Sequence, residues 1–246
     1  MSRRMDIRML GRRLMHVSLA SIVRRLRPRG GRPDPSSQLD RIPTVSLRDA
    51  IRGHPLILVD GTYDYFEGSL AWCDIVPLLS ILVDRGPRSV LEIGTFNGHT
   101  TRLMALNLPE ATIHTIDLPE SFGGGFEKDD YHLITTRKVG IEHRSDTAVT
   151  NVRQHFGDTA SWDFSQADAT FFFIDGSHTY AYVRNDTEKA LAASRGRLAT
   201  LIWHDCDDTH PEVVGWLLEM IQAGHPVRRI DQSHLALLET GTAPEL

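Results

Sequence analysis

The residues best suited to chemistry lie in three short stretches. The first is Leu91-Glu92-Ile93-Gly94-Thr95-Phe96-Asn97-Gly98-His99-Thr100-Thr101. The apolar run Ser89-Val90-Leu91 leads into it, and the periodic apolar residues Leu103, Met104 and Leu106 follow. That is the pattern of a strand, a tight glycine turn and a helix start. Such a turn lets the backbone pass close to a ligand, and the first N–H groups of the helix point at it. Asp117 closes the next strand-like run, Thr112-Ile113-His114-Thr115-Ile116, where a carboxylate is placed to hold a ribose diol. Together these residues point to a nucleoside-containing cofactor. The second stretch, Asp175-Gly176-Ser177-His178-Thr179-Tyr180, follows Phe171-Phe172-Phe173-Ile174, and the third, His204-Asp205, follows Leu198–Trp203. Ligands of open α/β sheets bind at the carboxyl ends of strands. Asp175, His178, His204 and Asp205 are therefore expected to converge beside the cofactor.

The first stretch also discriminates between cofactors. A dinucleotide turn requires Gly-x-Gly-x-x-Gly, the second glycine clearing space for pyrophosphate. Here Phe96 occupies that place, and Glu92 lies two residues before the first glycine. An acid there repels a pyrophosphate and suits a cationic amino-acid ligand. On Glu92, Gly94, Gly98 and Asp117 the chain resembles the class I S-adenosylmethionine-dependent methyltransferases. With Asp175-Gly176-Ser177-His178-Thr179-Tyr180 and Trp203-His204-Asp205 added, it looks like their methyltransferase-24-type branch, related to sugar- and macrolide-modifying O-methyltransferases. The resemblance spans roughly residues 86–240.

The resemblance implies methyl transfer from S-adenosylmethionine to a small-molecule hydroxyl, such as a sugar or a natural-product glycoside. Glu92, Gly94, Phe96, Asn97 and Gly98 would hold the methionine end, Asp117 the ribose and Asp146 the adenine. In metal-dependent relatives an acid ending the fourth strand and a pair of acids ending the fifth bind Mg²⁺. Asp175 and Asp205 match two of these positions, and His204 stands where an acid is usual. Imidazole suits transition metals better than Mg²⁺, so the set Asp175, His204 and Asp205 is a candidate for Mn²⁺ or Fe²⁺, for weakly held Mg²⁺, or for no ion. His178 matches a histidine that acts as general base in some relatives. A neutral hydroxyl is a poor nucleophile, and imidazole titrates in the right range to take its proton. The plainer reading of His178 is a helix cap, a role that Ser177 and Thr179 already fill well.

The elements that must position these groups follow from hydrophobic patterning. Strands are expected at 88–93, 112–117, 139–144, 169–174 and 198–203, with two more near 226–230 and 235–239. Helices are expected at 70–83, 99–107, 145–155, 178–193 and 211–222. This alternation predicts an α/β fold: a doubly wound, Rossmann-like, seven-stranded, mainly parallel sheet with an antiparallel last strand. Residues 40–246 form the expected domain, and residues 1–39 a basic helical arm with a Pro/Gly linker. That arm carries ten arginines against Asp6 and Asp34. Because the whole chain has a net charge of −5, the domain itself is strongly acidic and poorly matched to nucleic acid. The arm, with a helix expected over 5–27, suits a membrane surface or the acidic face of a partner subunit, and a homo-oligomer is expected. Two well-separated cysteines, Cys73 and Cys206, indicate no disulfide framework and a reducing, cytoplasmic setting. Two rival functions remain: a nucleotide-dependent oxidoreductase, weakened by the absent middle glycine, and a non-catalytic module tethered by its arm. Stabilisation by S-adenosylhomocysteine but not by NAD separates them.

Overall fold

The computed structural model describes residues 14–16, 38–60, 68–120 and 138–241. Of the expected arm helix over 5–27, only Leu14–His16 falls among them. This segment is a strand (β1) paired antiparallel with Leu58–Asp60 (β3), which corrects the helical reading at those positions. The rest of the arm and the Gly123-Gly124-Gly125 stretch lie outside the described residues.

The other strands form one eight-stranded sheet. They are Thr44–Val45 (β2), Ser89–Ile93 (β4), Thr112–Asp117 (β5), Val152–Phe156 (β6), Phe171–Ile174 (β7), Ala199–Trp203 (β8), Arg228–Ile230 (β9) and Ala236–Thr240 (β10). Their spatial order is β2-β9-β10-β8-β7-β4-β5-β6. All neighbouring pairs are parallel except those of β10, which runs antiparallel to both β8 and β9. The expected antiparallel last strand is therefore present. The two-residue strand β2 adds an eighth member at the β9 edge, too short for a periodicity signal.

The helices are Leu47–Ala50 (α1), Trp72–Arg85 (α2), His99–Asn107 (α3), Ile141–Ser145 (α4), Tyr180–Ser194 (α5) and Pro211–Gln222 (α6). They cover both sheet faces, and strand alternation decides which residues go to which. Leu91, Ile93, Phe172, Ile174 and Trp203 pack with α5 and α6. Val90, Ile113, Phe171, Phe173 and Ile202 pack with α2 and α3. The three phenylalanines are fully buried, each contributing roughly 2–3 kcal/mol of apolar burial. Because β7 is buried on both faces, its run lacks alternation. Trp203 is also core, its indole N–H donating to Thr187 Oγ1 at 2.9 Å. Among the described residues, no helix is long and apolar enough to cross a membrane.

One pair of elements has the reverse of the expected order. Residues 139–144, expected as a strand, largely form helix α4, and the strand of this unit is β6, inside the expected helix 145–155. Val152–Phe156 is only partly buried at the sheet edge, so its apolar signal is weak.

Candidate active site

The turn between β4 and α3 is shaped by close backbone approach. Gly94 has φ +95°, and a Cβ built there would lie 1.9 Å from the carbonyl oxygen of Asp175. The glycine is thus required by the neighbouring β7 loop, which is pinned by Asp175 N–H donating to Ile93 O at 2.8 Å. Gly98, the left-handed N-cap of α3, would place a Cβ 2.5 Å from His143 Nδ1 and 2.8 Å from Gly140 Cα. The segment before α4 lies directly over this turn, with Gly140 N–H on Phe96 O and Glu142 N–H on Asn97 O. Asn97, just before that cap, accepts from His99 N–H through Oδ1 at 3.1 Å. Asp117, at the end of β5, accepts from the N–H groups of Phe96 (2.8 Å) and Thr95 (3.2 Å) through Oδ2. The ribose candidate and the glycine turn are therefore one hydrogen-bonded unit.

Glu92 lies beneath this turn, 1% exposed. Thr101 Oγ1 donates to its carboxylate. Burial, reinforced by the like charges of Asp175 and Asp117, pushes its pKa up to about 8. A carboxyl of this kind is poised to ionise against an incoming cation.

The second and third stretches meet at the ends of β7 and β8. His178 Nε2 lies 2.9 Å from Asp205 Oδ2. Asp205 has φ +57° and Phe96 φ +48°, so each candidate turn carries a strained non-glycine residue of a kind that concentrates at functional sites. The cap of α5 is Thr179, and the helix's first N–H, from Tyr180, donates to Glu212; His178 instead turns to Asp205. His204 Nδ1 lies 3.0 Å from Asp205 Oδ2 and 3.1 Å from Asp175 Oδ1. On its other side, Nε2 lies 3.5 Å from Oδ2 of Asp74. The surrounding carboxylates, Asp175 foremost, overcome the effect of burial and hold the His204 imidazole well above its ordinary pKa. Asp205 is driven the opposite way, held low by His178 and His204 despite burial. His210, the N-cap of α6, pairs with Asp207 at 3.0 Å, and its ring centroid is 4.5 Å from that of His178.

The set Asp175, His204 and Asp205 brings its donor atoms together, yet its chemistry does not fit Mg²⁺. Mg²⁺ seeks about six oxygen ligands. Here one imidazole nitrogen sits at hydrogen-bonding distance from both carboxylates, so a single N–H can bridge the two acids. No chemical step below is routed through a metal at this set.

Two residues emerge only from the tertiary structure, Asp74 and Asp158, and a third, Asp146, takes a different setting from the one expected. Asp74, in the first turn of α2, is 1% exposed and accepts from His234, through N–H at 2.7 Å and Nδ1 at 3.0 Å. The available signal was an acid within an otherwise apolar helix. Asp158 follows β6, beside the end of β5, and accepts from Tyr182 OH at 3.1 Å. Asp146, expected to follow a strand and open a helix, instead terminates α4, where Arg102 Nε donates to it at 2.6 Å.

The sheet, mostly parallel with an antiparallel β10, has the Rossmann-like methyltransferase fold. Residues 91–206 match the family model described as a methyltransferase domain. No curated protein matches the sequence. Among solved structures, cofactor-bound Rv0187 from MTB aligns with a TM-score of 0.50 at 15% identity, covering 72% of this chain and 83% of that one. The O-methyltransferase TomG from Streptomyces achromogenes, in complex with SAM, aligns at 0.45 with 22% identity over 67% and 78%. The MycE methyltransferase of mycinamycin biosynthesis, with Mg and SAH, aligns at 0.42 with 18% identity over 63% and 46%.

Proposed function

We propose that the protein transfers the methyl group of S-adenosylmethionine to a hydroxyl of a small molecule, a sugar or natural-product glycoside being the preferred class. The observation that carries this reading is the His178–Asp205 pair at 2.9 Å, on the strand edge whose loop packs against Gly94. Glu92 and the turn Gly94, Phe96, Asn97 and Gly98 receive the methionine end, and Asp117 the ribose. The adenine falls between the ends of β5 and β6, where Asp158 stands in place of the expected Asp146.

The acceptor oxygen attacks the sulfonium methyl. The new O–C bond forms as the C–S bond breaks, and its electron pair returns to a now neutral sulfur. The hydroxyl proton passes to His178, and Asp205 orients the imidazole and stabilises the imidazolium. Asp175 orients the acceptor. Transfer of this type depends mainly on placing two reactants in line. The basic arm serves association, with a second copy or a membrane surface, and takes no part in the transfer.

Calorimetric titration with S-adenosylmethionine and S-adenosylhomocysteine tests the cofactor. Transfer of labelled methyl to a panel of hydroxylated sugars and glycosides tests the reaction. His178→Ala should keep cofactor affinity and lose about 10²–10⁴-fold in turnover. Absence of heat with both cofactors, or full activity of the variant, overturns the respective part.

A further inference from the structure

Helix α5 turns three polar side chains onto the loop that follows β6. They are Tyr182, Asp186 and Lys189, whose spacing puts them on one face of the helix. Tyr182 OH donates to Asp158 Oδ1 at 3.1 Å. Asp186, 1% exposed, is hydrogen-bonded to the side chain of Thr159. Lys189 Nζ donates to the carbonyl oxygens of Thr159 and Ala160, at 2.5 and 3.2 Å. The loop also folds on itself. Asp158 O accepts from the N–H groups of Ser161 and Trp162 at 3.0 and 2.9 Å, and Trp162 packs on His155 with ring centroids 4.9 Å apart. Gly157 N–H donates to Asp117 O at 3.0 Å, which ties the loop to the residue placed for the ribose. Both hydrogen bonds to the Asp158 carboxylate, from Tyr182 OH and from Ala160 N–H at 2.8 Å, end on Oδ1. Among the described residues, none donates to Oδ2.

We propose that Tyr182 is a positioning residue for base recognition: its hydroxyl fixes the Asp158 carboxylate with Oδ2 open, so that the subsite takes a 6-amino purine and rejects a 6-oxo purine. The proposal rests on the reading that Asp158 faces the adenine. An ionised carboxylate offers only acceptors. Oδ2 can accept from the exocyclic amino group of adenine, whereas the 6-oxo oxygen of hypoxanthine sets acceptor against acceptor. Such a mismatch is costly only where the polar group cannot turn away from it. The bond from Ala160 is local and moves with the loop. The bond from Tyr182 comes from 24 residues further on, on a helix whose Val183, Ala190 and Ala193 belong to the sheet core. It therefore sets the carboxylate against the rigid part of the molecule. Asp186 and Lys189 hold the backbone of the same loop, which keeps Asp158 within reach of the hydroxyl.

The test is calorimetric titration of the full chain with S-adenosylhomocysteine and with S-inosylhomocysteine, its 6-oxo counterpart. The parent should prefer the adenosine ligand by at least about tenfold. Tyr182→Phe removes one oxygen, and its unfolding temperature reports that the fold is kept. It should weaken S-adenosylhomocysteine about tenfold, leave the inosine ligand nearly unchanged and so collapse the preference. In an Asp158→Ala background the same substitution should alter neither affinity, because the hydroxyl acts through the carboxylate. Equal weakening of both ligands makes Tyr182 a support of the loop alone and overturns the proposal. A preference retained in Tyr182→Phe, or an effect that persists without Asp158, overturns it equally. The underlying reading fails in a different way. A parent that binds neither ligand removes the cofactor, and a preference unchanged in Asp158→Ala places the adenine elsewhere; either result overturns the proposal with it.

Discussion

Glu92→Gln is expected to stabilise the protein above neutral pH. The ordinary pKa of this carboxyl is 4.5, and in the fold it rises to about 8, chiefly through burial. Between these values the native chain keeps a proton that the unfolded chain has released. Native stability therefore falls as pH rises from about 4.5 to about 8 and is flat beyond, so far as this group is concerned. Each tenfold preference is worth about 1.4 kcal/mol, so the limiting penalty is about 5 kcal/mol. Local relaxation and water entry reduce it, and about 2–5 kcal/mol is expected. Glutamine keeps the shape and can still accept from Thr101 Oγ1, which bonds the native carboxylate, but it does not titrate. Urea unfolding from pH 5 to pH 9 reads the difference. At pH 5 the two proteins should agree within about 1 kcal/mol, and above pH 8 the glutamine variant should be more stable by the stated amount. Parallel stability curves across the range would refute the claim that Glu92 is buried without a compensating cation. The cationic amino group of the cofactor should favour the ionised form. Binding near pH 7 should then release protons, seen as a dependence of calorimetric heat on buffer ionisation, and the variant should lose this dependence.

Gly94→Ala should lower stability by about 2–4 kcal/mol and weaken S-adenosylhomocysteine binding, because the added Cβ meets the Asp175 carbonyl at 1.9 Å; unchanged thermal unfolding and affinity would contradict this geometry. His114 and His155 stack with ring centroids 5.2 Å apart and ring nitrogens 2.9 Å apart, and burial pushes His114 down to about 4. Its neutral form is favoured, so stability present above pH 6.5 is lost as pH falls toward 4. His114→Gln should flatten that acid slope in denaturant titrations, and an unaltered slope would exclude the pair as its source. Asp146→Asn should cost about 1–3 kcal/mol by breaking the pair with Arg102, while leaving cofactor affinity of the folded protein intact; Asp158→Asn should do the reverse, and calorimetry on both variants decides which acid faces the adenine.

The sequence by itself determined most of the scaffold. Glycine-rich turns after apolar strands carry their own local reason, so β4, α3 and β5 fall at the expected residues, and Pro211 marks the start of α6. The Phe171–Ile174 run announces a strand buried on both faces. It also places Asp175, His178, His204 and Asp205 at strand ends, and parallel pairing of β7 with β8 brings them together. What the sequence could not decide depends on distant chain segments. The edge strand β6 has too few buried residues to signal itself, so the pattern sets Asp146 between a strand and a helix, whereas in the fold it ends α4. The role of Gly94 was legible as a turn, yet the atom that forbids a side chain there belongs to residue 175. Asp74 lies 160 residues from His234, and no local pattern links them. Only chain packing places α2 against the β8 and β10 ends, turning His204 from a displaced acid position into an imidazole held between carboxylates on both sides.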